Sequence, residues 1–161
     1  MKLIIITGPE SSGKTTLAEK LHQANDHSVL VPEYARIWLE EYHPDGNYSK
    51  HDVRQMFDGQ VILWKASLET GAQCVIWDTD PLVYKIWLKE MYNEVWSEVE
   101  EWLDFVKKAM YILCKPDLPW EYDPLRSNPH DRDRLFELYK IELEKKNIPF
   151  IIHSNASSSP I

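Results

Sequence analysis

An apolar run, Leu3-Ile4-Ile5-Ile6-Thr7, leads directly into Gly8-Pro9-Glu10-Ser11-Ser12-Gly13-Lys14-Thr15. Thr16-Leu17-Ala18-Glu19-Lys20-Leu21 follows, with Leu17 and Leu21 one helical turn apart. Strand, glycine-bounded loop and helix, with Gly-Lys-Thr closing the loop, form the phosphate-binding loop pattern in its required context. Successive backbone N–H groups of such a loop turn toward an anion, and the helix N-terminus adds partial positive charge. Lys14 is spaced to reach β- and γ-phosphates, and the Thr15 hydroxyl to ligate Mg²⁺. Gly8, Glu10, Ser11, Ser12, Gly13, Lys14, Thr15 and Thr16 are therefore the expected nucleotide contacts. An ordinary Gly/Ser turn before a helix would require neither the Lys nor the Thr.

The remaining composition limits what else the chain can be. At 161 residues it reads as one domain, with an ordinary 43% hydrophobic and 27% charged content. A formal net charge of −8 argues against a nucleic-acid surface, which is normally basic. No run approaches the ~20 apolar residues of a membrane span. Cys74 and Cys114 lie in apolar runs and read as buried thiols of a reducing compartment. The six histidines lack zinc-type spacing. A cytoplasmic protein without nucleic-acid or membrane partners is the expectation.

Strand-like runs at Leu3–Thr7, Ser28–Pro32, Cys74–Trp77, Met110–Cys114 and Pro149–Ile152 alternate with helical patterns. That alternation predicts an α/β fold of the P-loop NTPase kind, a parallel sheet of about five strands flanked by helices. Ligands of such sheets sit beyond the carboxyl ends of the strands. Glu33 follows the second run, and either accepts a proton there or only favours the next helix through its dipole. His43–Asn47 reads as a plain loop, and Ser49 with Asp52 as a capping box. Val53, Met56, Phe57, Val61, Trp64 and Leu68 form an apolar stripe, with Gln60 on the same face as a buried polar contact or a substrate ligand.

The third run ends in Trp77-Asp78-Thr79-Asp80-Pro81. An acid at a strand end beside a phosphate loop orients the Mg²⁺ shell, and Asp78 directly follows the strand. Asp80 precedes Pro81 and is also a candidate N-cap. Residues 115–134 hold Pro116, Pro119, Pro124 and Pro129 with Trp120, Tyr122, Arg126, Arg132 and Arg134, and read as a lid whose arginines clamp a transferring phosphoryl group. His153-Ser154-Asn155-Ala156, after the last run, falls on the ligand side.

Gly8–Thr15, Pro-Glu-Tyr-Ala-Arg at 32–36, Trp-Asp-Thr-Asp at 77–80 and Pro-Asp-Leu-Pro-Trp at 116–120, with Asp123 and Arg126, together resemble the ribosylnicotinamide kinase domain of NadR-type proteins. The resemblance runs from Lys2 to about Ser154. It implies an ATP- and Mg²⁺-dependent kinase that phosphorylates nicotinamide riboside at its 5′-hydroxyl to nicotinamide mononucleotide in NAD salvage. It implies catalytic roles for Lys14, Glu33, Asp78 and Arg126, Mg²⁺ ligation by Thr15 and Asp78, and an ATP contact from Arg132. Glu33, Tyr34, Arg36, Asp80, Trp87 and Trp120 become the expected substrate contacts. The adenylyltransferase domain of NadR-type proteins has no counterpart here, so that second activity is expected to be absent.

Two rivals remain at this stage. One keeps the kinase but changes the acceptor to another nucleoside or small alcohol. The other is a nucleotide-dependent regulatory NTPase, because Cys114-Lys115-Pro116-Asp117 imitates the guanine-reading Asn-Lys-x-Asp string, with Cys in place of the Asn.

Overall fold

The computed structural model describes residues 1–123 and 130–156, and the statements below concern those residues. Strands β1 (Lys2–Thr7), β2 (Ser28–Val31), β3 (Cys74–Asp78), β4 (Met110–Cys114) and β5 (Phe150–His153) form one sheet in the order β2-β3-β1-β4-β5. Every neighbouring pair is parallel. Helices α1 (Lys14–Gln23), α2 (Tyr34–Tyr42), α3 (Lys50–Leu68), α4 (Pro81–Tyr92), α5 (Ser97–Val106) and α6 (Arg132–Lys145) join and flank the strands. The expected five-stranded α/β fold is the observed one.

Strand parity explains how the faces are divided. Ile4 stands opposite Ile76 and Met110, and Ile6 opposite Asp78 and Ile112. Side chains alternate across a strand, so Ile4, Ile6, Ile76 and Ile112 share one face, where Leu17 and Ala18 of α1 cover them. Ile5, Val75, Trp77, Tyr111 and Leu113 face the other way into a larger core built with α2 to α6. Asp78 pairs with Ile6 and therefore points to the α1 face. Cys74 and Cys114 are buried free thiols.

The larger core is aromatic. Trp64 stacks on Trp77 with centroids 5.0 Å apart, and Phe57 meets Tyr84 edge-on at 5.2 Å. Ser67 Oγ accepts the Trp77 indole N–H at 3.0 Å while donating to the Trp64 carbonyl at 2.7 Å. The stripe read from the sequence is thus packing. The Ser49–Asp52 capping box forms at the start of α3, as its spacing predicts. No described helix is long and apolar enough to cross a membrane.

One contact between α2 and α3 sets the position of the chain after β2. Gly59, in the middle of α3, lies flat against the Tyr34 ring, and a Cβ there would overlap three ring carbons. In an unencumbered helix Gly→Ala stabilises by roughly 0.5–1 kcal/mol, whereas overpacking costs about 1–3 kcal/mol. The second effect wins at this site. Gly59→Ala is expected to lower the thermal midpoint despite the better helix propensity, and a raised midpoint would show that α2 moves aside without penalty.

Candidate active site

The loop after β1 depends on backbone geometry that its glycines permit. Gly8 and Gly13 have φ of 140° and 81°, and a Cβ on Gly8 would come within 2.7 Å of the Cys114 carbonyl at the end of β4. Ser11 also takes a left-handed φ of 54°. The loop carbonyls are held by partners. Lys14 Nζ donates to Gly8 O at 2.9 Å and Pro9 O at 2.8 Å, and Ser12 Oγ donates to Pro9 O at 2.7 Å. Arg132 donates to Ser11 O at 3.0 Å, and Asn155 Nδ2 to Ser12 O at 3.1 Å. With those carbonyls taken, amides are what the loop has left to offer an anion. Helix α1 has Gly13 at its N-cap and so no side-chain cap, which leaves its first N–H groups for the same purpose.

Thr15, in the first turn of α1, donates its hydroxyl to Asp78 Oδ2 at 2.7 Å. Asp78 is 3% exposed, and its Oδ1 is buried with no hydrogen-bond partner. Burial raises its pKa, the Thr15 hydroxyl and Lys14 lower it, and Glu33 and Glu19 raise it further. A buried, half-satisfied carboxylate next to a hydroxyl is a hard-oxygen donor set, and it fits Mg²⁺, which uses few protein ligands and completes its shell with water and phosphate. Among the described residues no cluster of three or more His, Cys, Asp or Glu offers a fuller metal cage.

Glu33 occupies the N-cap position of α2 but makes no capping bond. The peptides on either side of it are fixed by Gln60 of α3, fully buried, which donates to Pro32 O at 3.1 Å and accepts from the Tyr34 N–H at 2.8 Å. Gln60 thus holds the residue that the sequence singled out as a base. Arg36, one turn on, donates to Asp123 at 2.6 Å, so it ties α2 to the segment after β4.

One cavity of about 490 Å³ gathers Gly8 to Thr16, Glu33, Arg36 and Trp87. Leu118, Pro119 and Glu121, from the expected lid, line it as well. Arg132 reaches the phosphate loop from outside, and its second nitrogen donates to Leu118 O at 2.9 Å. Arg126 lies outside the described residues.

Other expected contacts stand elsewhere. The Tyr34 ring packs on Gly59, between α2 and α3, and does not line the cavity. Trp120 sits edge-on to Tyr122 at 6.2 Å and is likewise not a lining residue. Asp80 is fully buried beneath the site, accepts from the Thr7 hydroxyl at 2.7 Å, and occupies the N-cap position of α4 before Pro81 without a capping bond of ordinary geometry. Sequence reasoning missed Tyr48, which lines the cavity and accepts the Trp87 indole N–H at 3.0 Å. Its place before the Ser49 cap is also that of a hydrophobic staple, so the local pattern had a sufficient structural reading.

The sequence matches the AAA domain family over residues 3–159, and the chain belongs to that family. Its fold resembles that of a NadR protein in complex with NAD and AMP-PNP, with a TM-score of 0.72 at 20% identity over 99% of this chain. The chain spans 45% of that protein's length. A NadR protein in complex with NR gives 0.68 at 21% identity, over 94% of this chain and 43% of that one. Thymidylate kinase from Ehrlichia chaffeensis gives 0.61 at 16% identity, over 99% of this chain and 89% of that one. Curated protein sequences contain no significant match. The class defined by fold and site is a P-loop protein with a nucleotide loop, an acid–hydroxyl pair and an adjoining cavity.

The buried acid beneath the site carries a pH signature. Burial pushes Asp80 up to about 6, against the opposing pull of the Thr7 hydroxyl, and the Tyr111 hydroxyl facing it makes no bond of ordinary geometry. Between about pH 4 and pH 6 the folded state therefore holds a proton that the unfolded chain releases. The associated stability is present at the acid side and lost as pH rises through that window, on the order of 3 kcal/mol at most. Asp80→Asn cannot titrate. Its melting midpoint relative to the parent is expected to climb from pH 4 to pH 6 and then level off, and a flat difference would contradict the assignment.

Proposed function

We propose that the protein is an ATP-dependent kinase that transfers the γ-phosphoryl group to the 5′-hydroxyl of nicotinamide riboside. The observation that carries this reading is the meeting of a phosphate loop, the Thr15–Asp78 pair and Glu33 around one cavity with an acidic and aromatic acceptor end. Fold neighbours holding NR and AMP-PNP support it.

Charge narrows the acceptor. Glu10, Glu33, Glu90 and Glu121 line the cavity, while its basic lining residues among those described are Lys14 and Arg36. Lys14 belongs to the phosphate loop, and Arg36 is paired with Asp123. Glu90 is paired with Arg134 at the rim. An acceptor already bearing a phosphate would face these carboxylates, with Arg36, already paired, as the one described basic lining side chain outside the phosphate loop. A nucleoside with a cationic ring is favoured instead, and the Tyr48–Trp87 pair offers it aromatic surface.

In the proposed reaction the loop amides and Lys14 hold the triphosphate, with Arg132 keeping the loop in shape. Thr15 and Asp78 would hold Mg²⁺, which neutralises charge on the β- and γ-oxygens when bound. Glu33 accepts the proton of the 5′-hydroxyl as its oxygen forms the new bond to phosphorus. The bond from phosphorus to the β,γ-bridging oxygen breaks and ADP leaves. Arg126 is the proposed lid arginine for charge developing on the transferred group. Positioning supplies most of the acceleration, so a weak base suffices.

Incubation with MgATP and a panel of nicotinamide riboside, nicotinic acid riboside, uridine, cytidine and thymidine, followed by mass detection of products, tests the reading. Nicotinamide mononucleotide and ADP are expected. Lys14→Ala should abolish turnover, and Glu33→Gln should reduce kcat by about 100-fold or more with little change in the riboside KM. Phosphorylation of a pyrimidine nucleoside alone would keep the kinase and refute the acceptor. Nucleotide binding without any phosphorylated acceptor would return the protein to the regulatory reading.

A further inference from the structure

Asp117, the acid of the string that imitates a guanine reader, is fully engaged within the protein. Its Oδ2 accepts from Ser154 Oγ at 2.5 Å and the Ala156 N–H at 3.4 Å. Its Oδ1 accepts from the Asn155 N–H at 3.2 Å and from Asn155 Nδ2 at 2.8 Å. An ionised carboxylate offers about four lone-pair sites, and four donors occupy them. Desolvation works against the charged form, yet these donors prevail and hold the group at about 2. It is ionised throughout the neutral range with no acceptor capacity to spare for a base edge.

The same donors lead back to the phosphate loop. Asn155 Nδ2, bonded to Asp117, also donates to Ser12 O at 3.1 Å. Asn155 Oδ1 would lie 2.8 Å from a Cβ on Gly13, so the side chain is pressed against the residue that starts α1. A continuous polar path therefore runs from Asp117, after β4, through Asn155, after β5, to the Ser12–Gly13 peptide.

We propose that Asp117 and Asn155 are a positioning pair, which fixes the shape of the phosphate loop from behind and takes no part in reading the nucleotide base. Their effect then falls on the triphosphate and is independent of the base attached to it. This inference concerns only the nucleotide end and stands apart from the identity of the acceptor.

The test compares probes with and without a base, by calorimetry on the full chain: AMP-PNP, GMP-PNP and inorganic tripolyphosphate, each with Mg²⁺. Asn155→Ala and Asp117→Asn should weaken AMP-PNP and tripolyphosphate by the same factor, about tenfold for the loss of a charge-assisted contact. The ratio of AMP-PNP to GMP-PNP affinity should stay within about twofold of the parent. Ser154→Ala removes a single donor and serves as the milder variant if Asp117→Asn does not fold. A loss confined to one base, with tripolyphosphate unaffected, would overturn the proposal in favour of base reading. A lowered melting midpoint with unchanged affinities would overturn it in favour of a purely structural role. Failure of the parent itself to bind any of the three would instead sink the nucleotide reading on which the proposed function rests.

Discussion

The hydrogen bond from Thr15 to Asp78 is the constraint around which the rest of the molecule is arranged. It joins the first turn of α1 to the end of β3, two elements 63 residues apart in sequence. It exists because β1 and β3 are parallel and in register, with Asp78 opposite Ile6, so that the carboxylate points to the face α1 covers. A slip of one residue would turn Asp78 to the opposite face, among the aromatic rings. Burying it is unfavourable for the carboxylate, and its raised pKa is the measure of that tension. A fully buried β3 on one side and α1 on the other hold it there.

The backbone between the two acids carries the same tension. Thr79 sits at a φ of 98°, a conformation that a β-branched residue adopts only under constraint. Such a residue costs roughly 1–3 kcal/mol and persists where its surroundings over-determine it. Here the Thr79 N–H is bonded to Ile6 O at 3.3 Å, and the Thr7 hydroxyl is bonded to Asp80. The turn sends Asp78 toward α1 and Asp80 into the core. Two acids two residues apart, chemically alike in the sequence, thereby receive different surroundings.

Fold and phosphate loop were legible in the sequence because both are written locally. β-type runs, helical spacing and the Gly-Lys-Thr closure involve neighbours in the chain, and strand bounds differ from the expected ones by at most a residue or two. The acceptor side was less legible because its geometry is made at long range. Tyr34 lies in the same short string as Glu33 and Arg36, yet its ring is drawn to Gly59, 25 positions on, where the absent side chain leaves a flat recess. Asp80 takes the N-cap position of α4 that its place before Pro81 predicts, but its carboxylate is held by Thr7, 73 residues away, a bond no local pattern shows. Tyr48 falls between a plain loop and the Ser49 cap, and nothing local marks it as a cavity residue. For Gln60 the sequence leaves both readings open, and its two bonds to the chain around Glu33 make it a support for the site.

The acidity of the chain acquires a local meaning once these positions are known. A net charge of −8 is, taken alone, ill suited to a triphosphate. The phosphate loop resolves this over a few ångströms, through its amides, Lys14 and the α1 terminus, while Arg132 and Asn155 hold its carbonyls turned to protein. Beyond that short range the carboxylates dominate the cavity. One cavity therefore carries both an anion-binding loop and, in Glu33, Glu90 and Glu121, carboxylates that share its lining with the aromatic side chains of Tyr48 and Trp87. Two ligands of opposite local charge can be held side by side in such a space, each repelled from the other's place. On the proposed reading, that separation would order an anionic donor and a cationic or neutral acceptor before any chemistry begins.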